Sequence, residues 1–124
     1  MLKIINVTFL TIYCSLIFWL SSQSALPTPM LFEHQDKLHH LGAYFIMGVL
    51  AWRFFNDYTQ NQKSVFMMSL FFCSLYGISD EIHQSYVPDR DADVFDWLAD
   101  TLGAFIALIT IQLLKRSSVE RQAS

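Results

Sequence analysis

This sequence has few charged residues, few glycines and prolines, and only two cysteines. Asp, Glu, Lys and Arg make up 15% of its 124 residues, whereas soluble domains carry about 25%. The mean hydropathy of +0.33 therefore favours a membrane protein. The net charge of −3 provides no basic surface, so we expect no nucleic-acid partner. A chain of this length has room for one domain.

The short motifs that identify many enzymes and metal proteins are also absent. There is no CxxC, no phosphate-binding loop, no dinucleotide fingerprint and no HExxH. Cys14 and Cys73 both fall in apolar runs, where buried small side chains are a better interpretation than a disulfide or a metal site. No Ser or Cys nucleophile stands beside a base. On this evidence we expect no bound metal and no cofactor.

What the sequence does contain is four long apolar segments. They predict an all-α fold, a membrane-embedded bundle of four transmembrane helices, because a span needs about 20 mostly apolar residues. The predicted spans cover residues 4–22, 38–55, 64–82 and 94–114. They form a single domain over residues 1–116. We expect residues 117–124 to be a polar cytoplasmic tail that is disordered past Ser118.

The first segment allows a second interpretation. Pro27 and Pro29 prevent its helix from continuing, and the small residues Ser22, Ser24 and Ala25 would also suit cleavage of a signal peptide. Cleavage would leave an odd number of spans, so we favour a retained helix.

The distribution of basic residues predicts the topology. With four spans both termini lie on one side of the membrane, together with Lys3, Arg53, Lys63, Lys115, Arg116 and Arg121. Lys37 and Arg90 lie on the other side. The positive-inside rule then predicts a multi-pass protein of the cell inner (plasma) membrane with both termini in the cytoplasm.

Two stretches rich in acids and histidines, residues 36–40 and 80–96, fall on the predicted outer side. Ionisable groups at membrane depth are usually functional, although a solvated loop would also explain the second stretch. Because both stretches reach the same membrane surface, we expect one site. Its candidate ligand-binding residues are Asp36, His39, His40, Asp80, Glu81, His83, Gln84, Arg90, Asp93, Asp96 and Asp100.

Helical register indicates which of these side chains share a face. On the fourth segment a stripe at helical spacing comprises Asp96, Ala99, Asp100, Gly103 and Ala107. Its small residues let another helix approach closely, so its carboxylates should point into the bundle. A buried carboxylate needs a partner, and the candidates are Arg90, His39, His40 and His83.

Three of the acids also have a purely structural interpretation. Asp36, Asp93 and Asp96 lie at the start of an apolar helix, where Asp is favoured by hydrogen bonding to free backbone N–H groups and by the helix dipole. Asp100 lies two turns into its segment, so capping explains it poorly.

In combination these motifs resemble one family. They are Ser21–Ser24 after the first span, Asp36 to His39 at the second, Tyr76, Gly77, Asp80, Glu81, His83 and Gln84 at the end of the third, and Arg90, Asp93, Asp96 and Asp100 to Gly103 at the fourth. Over about residues 4–112 the chain resembles the VanZ-like family of small bacterial integral membrane proteins.

The family takes its name from an accessory protein of glycopeptide antibiotic resistance. The resemblance implies a membrane bundle with an accessory role in the cell envelope, and it brings no settled reaction, cofactor or substrate. The family pattern usually has Asn where this chain has Asp100, which puts a purely amide role there in doubt.

Three functions remain open from the sequence. The outer cluster would bind the polar headgroup of a lipid, either a phospholipid or a lipid-linked cell-wall precursor, with the Arg90 guanidinium contacting phosphate. Alternatively the chain is an intramembrane enzyme with His83 or His39 as general base. The third hypothesis is a proton relay or transport subunit, for which four spans would require a homo-oligomer.

The enzyme hypothesis needs an acidic or orienting partner for its histidine. Asp80, Glu81 and Asp96 are the candidates. Histidines together with carboxylates also suit Zn²⁺ or Mn²⁺ by ligand type, so metal-assisted chemistry is a variant of this hypothesis even though no spacing matches a metal motif.

Overall fold

The computed structural model describes residues 2–24 and 34–123, and within these ranges it contains four α-helices and no strand. They are α1 (Leu2–Ser21), α2 (Gln35–Asn56), α3 (Gln62–Gln84) and α4 (Val94–Ala123). The predicted all-α bundle is confirmed. The prolines that predict the end of the first span, and one residue of the possible cleavage site, lie outside the described residues. They are Pro27, Pro29 and Ala25.

Three of these helices are long and apolar enough to cross a membrane: α1, α3, and α4 as far as Arg121. α2 does not meet that criterion, because it carries two charges and two histidines in its first turns and Arg53 near its end. It packs against all three other helices, most extensively against α4. Because α2 contacts every other helix, its polar side chains can face those helices and avoid lipid. The fourth span, formed by α2, therefore stays a prediction.

Many large apolar side chains of the bundle are exposed, and many of its fully buried residues are small, although Tyr44, Met47 and Leu108 are also buried. Exposed examples from each helix are Phe9, Leu38, Ile46, Phe71 and Phe95. The fully buried positions include Ala51, Ser69, Cys73, Ala104 and Ala107. This arrangement is typical of helices that pack in lipid, where burial of small residues allows close backbone approach and apolar side chains need no shielding.

The closest approach joins α2 to α4. A Cβ atom on Gly103 would collide with the backbone carbonyl of Leu41, and a Cβ on Gly48 would lie 3.0 Å from the Cα of Ala104. Asp100 and Ala107, from the predicted stripe, are fully buried. The stripe therefore faces the bundle, as the helical register predicts.

Two of the helix starts carry side-chain caps. Asn61 Oδ1 accepts from the backbone N–H groups of Lys63 and Ser64 at 3.1 and 3.2 Å. Asp93 Oδ1 accepts from Phe95 N–H at 2.8 Å, so the capping interpretation of Asp93 is confirmed.

Asp36 is not the N-cap residue of α2. The N-cap is His34, in a left-handed conformation with φ of 64° and no side-chain cap bond. Asp36 lies within the first turn of α2, where the helix dipole favours an acid. Its carboxylate also accepts from Lys37 Nζ at 3.2 Å.

The end of the bundle that holds both termini has its own polar contacts. The buried Asn6 donates from Nδ2 to Asp57 Oδ2 at 2.7 Å and accepts from Arg53 Nε at 3.2 Å. Lys115 Nζ lies 4.1 Å from the ring centroid of Trp52.

The disordered tail predicted past Ser118 is wrong, because α4 continues to Ala123. The last 20 residues of α4 contain neither Gly nor Pro to end the helix.

Candidate functional site

Lys37 connects the beginnings of α2 and α4. Its Nζ lies 2.6 Å from Asp93 Oδ2, 2.6 Å from Asp96 Oδ1 and 3.2 Å from Asp36 Oδ2. Lys37 is not among the site residues predicted from the sequence. The available signal was its position, because Lys37 and Arg90 are the two basic residues on the predicted outer side.

These ion pairs shift the acid–base equilibria of the groups that form them. The hydrogen bond from Lys37 holds the pKa of Asp93 below its usual range. Partial burial would raise the pKa of Asp36, but its bonds with Lys37 outweigh this effect and lower it. Partial burial likewise opposes the charged form of Lys37, yet the bonds to Asp93 and Asp96 raise its pKa. All three groups are therefore charged near neutral pH.

One turn deeper, His40 contacts Asp100. Its Nδ1 lies 2.9 Å from Asp100 Oδ1, and its Nε2 lies 3.9 Å from Asp96 Oδ2. The Asp100 side chain is fully buried. A neutral imidazole donates from only one nitrogen, and donation from Nδ1 to Asp100 leaves Nε2 as an available lone pair on the side of Asp96.

Two buried carboxylate oxygens near His40 lack partners. Glu81 Oε2 accepts from the backbone N–H of Asp93 at 2.8 Å, but Glu81 Oε1 and Asp100 Oδ2 have no hydrogen-bond partner among the described residues. One ligand atom from each of His40, Glu81 and Asp100 lies within 4.8 Å of the other two. Three different helices supply this group, so no spacing along the sequence could predict it.

Gly77, one turn before Glu81 on α3, provides the space for the Asp100 carboxylate. A Cβ atom on Gly77 would lie 3.0 Å from Asp100 Oδ2 and 3.2 Å from Trp97 Cδ1. Trp97 in turn donates from Nε1 to the Ser74 hydroxyl at 3.1 Å. These contacts fix the position of α4 against α3 beside the buried acid.

A second chain of contacts runs from α3 into the loop that follows it. Arg90 Nη2 donates to Gln84 Oε1 at 2.6 Å, and Gln84 Nε2 donates to Asp80 Oδ2 at 3.3 Å. In the described part of the chain no ion pair joins Arg90 to an acid of α4. The sequence predicted Arg90 as one possible partner of the buried carboxylates of α4. In the structure Lys37 pairs with Asp96 instead.

The other two candidate histidines make different contacts. The His39 side chain is exposed, and its Nε2 lies 3.5 Å from Gln35 Nε2. His83 faces α1, with Nε2 2.9 Å from Ser22 Oγ and its ring centroid 4.3 Å from that of Phe18. Within the described ranges no hydrogen bond or ion pair connects either histidine to an acid. His40 is the histidine that the fold brings to the carboxylates.

A cavity of about 520 Å³ opens beside these networks. Its apolar lining comes from Ile17 and Leu20 of α1 and Ala43 of α2. The polar and charged residues that line it are Ser21, Asp36, His39, His40, Tyr44, Asp80, Gln84, Asp89, Arg90, Asp91 and Asp96. Tyr44 OH is buried and has no hydrogen-bond partner among the described residues. Of the predicted candidates, Glu81, His83, Asp93 and Asp100 are not part of the lining.

Comparison with known proteins identifies the family of this chain. The family model VanZ/LLP1 matches residues 5–115. The chain is similar to the uncharacterized protein C11E3.10 of Schizosaccharomyces pombe, with 25% identity over 104 residues, which is 83% of this chain and 60% of that protein. The chain spans less than two thirds of the length of this relative. No solved structure matches. The family match includes residues of all four helices, and the chain belongs to the VanZ/LLP1 family.

Proposed function

We propose that this protein binds the polar headgroup of a membrane lipid, as an accessory protein of the cell envelope. The observation that carries the proposal is the cavity of about 520 Å³, because apolar residues of α1 and charged residues of α2 and of the 85–93 loop line it together. Ligand pockets have volumes of about 300–1,000 Å³ and combine apolar walls with a few polar groups. The resemblance to the VanZ-like family supports the envelope role.

The charges of the lining restrict the class of headgroup. Arg90 offers a guanidinium group, which suits a phosphate, and its contact with Gln84 holds it at the cavity. Asp36 and Asp80 supply carboxylates, which repel a bare phosphate and attract amines and hydroxyl groups. A headgroup that carries both phosphate and amine or hydroxyl groups meets both conditions, as phospholipids and lipid-linked cell-wall precursors do.

The test is lipid binding by the purified protein. Native mass spectrometry of the full chain in detergent would first detect any lipid that is retained through purification. It would then measure retention of added phosphatidylethanolamine, phosphatidylglycerol or diacylglycerol, an uncharged lipid that has no phosphate headgroup. We expect the phospholipids to bind and the uncharged lipid to bind much more weakly. Equal retention of all three would contradict the proposal, since only the headgroup differs.

Arg90→Lys examines the phosphate contact, because Lys keeps the charge and loses the planar fork. We expect retention of phospholipid to fall by about tenfold, which corresponds to about 1.4 kcal/mol. Arg53→Lys is the matched control, since Arg53 contacts Asn6 at the opposite end of the bundle. Unchanged binding by a folded Arg90→Lys protein would remove Arg90 from the proposed site.

The contact between His40 and Asp100 favours a second candidate function, acid–base chemistry on such a lipid. A carboxylate that orients an imidazole prepares its other nitrogen to accept a proton, and His40 lines the cavity. The test is a change of mass in an added lipid after incubation with the wild-type protein, and its loss with His40→Ala but not with His39→Ala. A lipid recovered intact from the wild-type protein would count against catalysis and leave the binding proposal in place.

A further inference from the structure

At the end of the bundle that contains Lys37, some acids form ion pairs with a basic side chain and others have no such pair within the described ranges. Lys37 contacts Asp36, Asp93 and Asp96. Glu81, on the adjacent helix, is only 7% exposed, and no Lys or Arg within the described ranges pairs with it. Buried carboxylates without a compensating charge are costly, so this part of the bundle requires a cation or a proton.

Two observations distinguish a built site from a chance group of acids. Glu81 Oε1 and Asp100 Oδ2 are buried oxygens without a hydrogen-bond partner in the part of the chain that the structure describes, and Asp100 is fully buried. The second observation is that a ligand atom of His40 lies within 4.8 Å of one from each acid. An imidazole beside two carboxylates with unused lone pairs has the donors that a metal ion needs.

The geometry points to a divalent transition-metal site formed by His40, Glu81 and Asp100, with Asp96 at its edge. Nitrogen and carboxylate donors of this kind suit Zn²⁺ and also Mn²⁺. Each of the three residues comes from a different helix, so a bound ion would tie α2, α3 and α4 together. The sequence predicted no metal, because no spacing within one segment matches a metal motif. Ligands that come from three separate helices produce no such spacing.

The position of His40 gives such a site access to ligands. His40 lines the cavity, whereas Glu81 and Asp100 do not. Three protein ligands leave one position of a tetrahedral ion open. This inference does not depend on the proposed lipid-binding function, because the donors are present whether or not a lipid occupies the cavity.

The experiment measures metal alone, without added lipid. The full chain would be purified in detergent, stripped with a chelator, and titrated separately with Zn²⁺ and with Mn²⁺ by calorimetry, with bound metal confirmed by elemental analysis after desalting. We expect one ion per chain for at least one of the two metals. Binding well below one ion per chain for both metals would overturn the proposal by itself, whatever the variants do.

Matched variants then locate the ion. Glu81→Gln preserves the shape of the side chain and removes its charge, and Glu120→Gln, at an exposed position far along α4, is its control. His40→Ala is compared in the same way with His34→Ala, at an exposed position that does not line the cavity. We expect affinity to fall by at least about tenfold in Glu81→Gln and His40→Ala and to remain unchanged in the controls. Wild-type affinity in both site variants would overturn the assignment.

A spectroscopic readout separates direct ligation from a general effect on folding. Co²⁺ added to the stripped protein would report its ligands through visible absorption, and a shifted or lost band in folded Glu81→Gln supports coordination by that residue. An unchanged band in that variant would exclude Glu81 as a ligand. If Glu81→Gln does not fold, His40→Ala and the wild-type stoichiometry still decide the proposal.

Discussion

The Nδ1 atom of His40 lies 2.9 Å from Oδ1 of Asp100, and this contact joins the central helix α2 to a fully buried carboxylate of α4. The pair lies one turn below the Lys37 ion pairs and beside the tight approach of Gly103 to Leu41. Polar pairing and close backbone packing therefore occur at the same place along the α2–α4 interface. Substitutions in this interface can separate the contribution of the polar pair from that of the backbone packing.

Replacing Asp100 tests the polar pair. Asp100→Asn keeps an oxygen that accepts from His40 Nδ1–H, so we expect it to change the unfolding free energy by about 1 kcal/mol or less. Asp100→Leu removes the acceptor and leaves the imidazole without its partner, which should destabilise the protein by about 1–3 kcal/mol. Thermal unfolding in one detergent measures both variants. Equal midpoints for Asn and Leu would show that the hydrogen bond contributes nothing measurable.

Lys37→Met tests the ion-pair network at the helix starts. Met retains much of the aliphatic stem and removes the ammonium group, which leaves three carboxylates close together. We expect a destabilisation of about 1–3 kcal/mol at neutral pH, since Asp96 is largely buried. Lys63→Met, at an exposed position near the start of α3, is the control and should change the unfolding midpoint little.

The same network predicts a dependence on pH. Asp36 and Asp93 have lowered pKa values in the folded protein, so their stabilising effect is complete above the unfolded value of about 3.9 and is lost as pH falls through the lower folded value. The raised pKa of Lys37 has the opposite sign, and its stabilisation disappears only above about pH 10.4. The difference in unfolding midpoint between wild type and Lys37→Met should therefore be largest between these limits and shrink below about pH 4. A difference that stays constant down to pH 2 would contradict this account.

Two glycines on the facing helices test the packing. Gly103→Ala places a methyl group against the Leu41 carbonyl, so α2 and α4 must separate, and we expect marked destabilisation or loss of folded protein. Gly42→Ala adds the same methyl group where nothing lies within 4 Å. Its higher helix propensity should stabilise that protein by up to about 1 kcal/mol. Similar effects of the two substitutions would mean that the close contact does not limit stability.

The topology remains a prediction that labelling can test. In a background without Cys14 and Cys73, single cysteines at Asp89 and Gln60 occupy exposed positions at opposite ends of the bundle. With both termini cytoplasmic, a reagent that does not cross the membrane should modify the cysteine at position 89 in intact cells and spare the one at position 60. Modification at position 60 alone would invert the orientation, and modification at both would contradict a crossing by α3.

Much of the architecture could be predicted from the sequence, because it depends on properties within a single segment. Charge-free or weakly charged runs predicted the helices, and the spacing of Asp100, Gly103 and Ala107 predicted which face of α4 is buried. The preference of Asp for free N–H groups predicted the cap at Asp93. Each of these inferences uses only neighbours within about two turns, whose relative positions helical geometry fixes in advance.

Tertiary structure decided which side chains meet across helices. His39 and His40 are adjacent in sequence but about 100° apart around the helix axis, and only the rotation of α2 that packs Leu41 against Gly103 directs His40 to Asp100 and leaves His39 exposed. The same rotation brings Lys37 to the acids of α4. The rotation of one helix against another depends on side-chain packing summed over the whole interface, and helical periodicity within one segment contains no information about that sum.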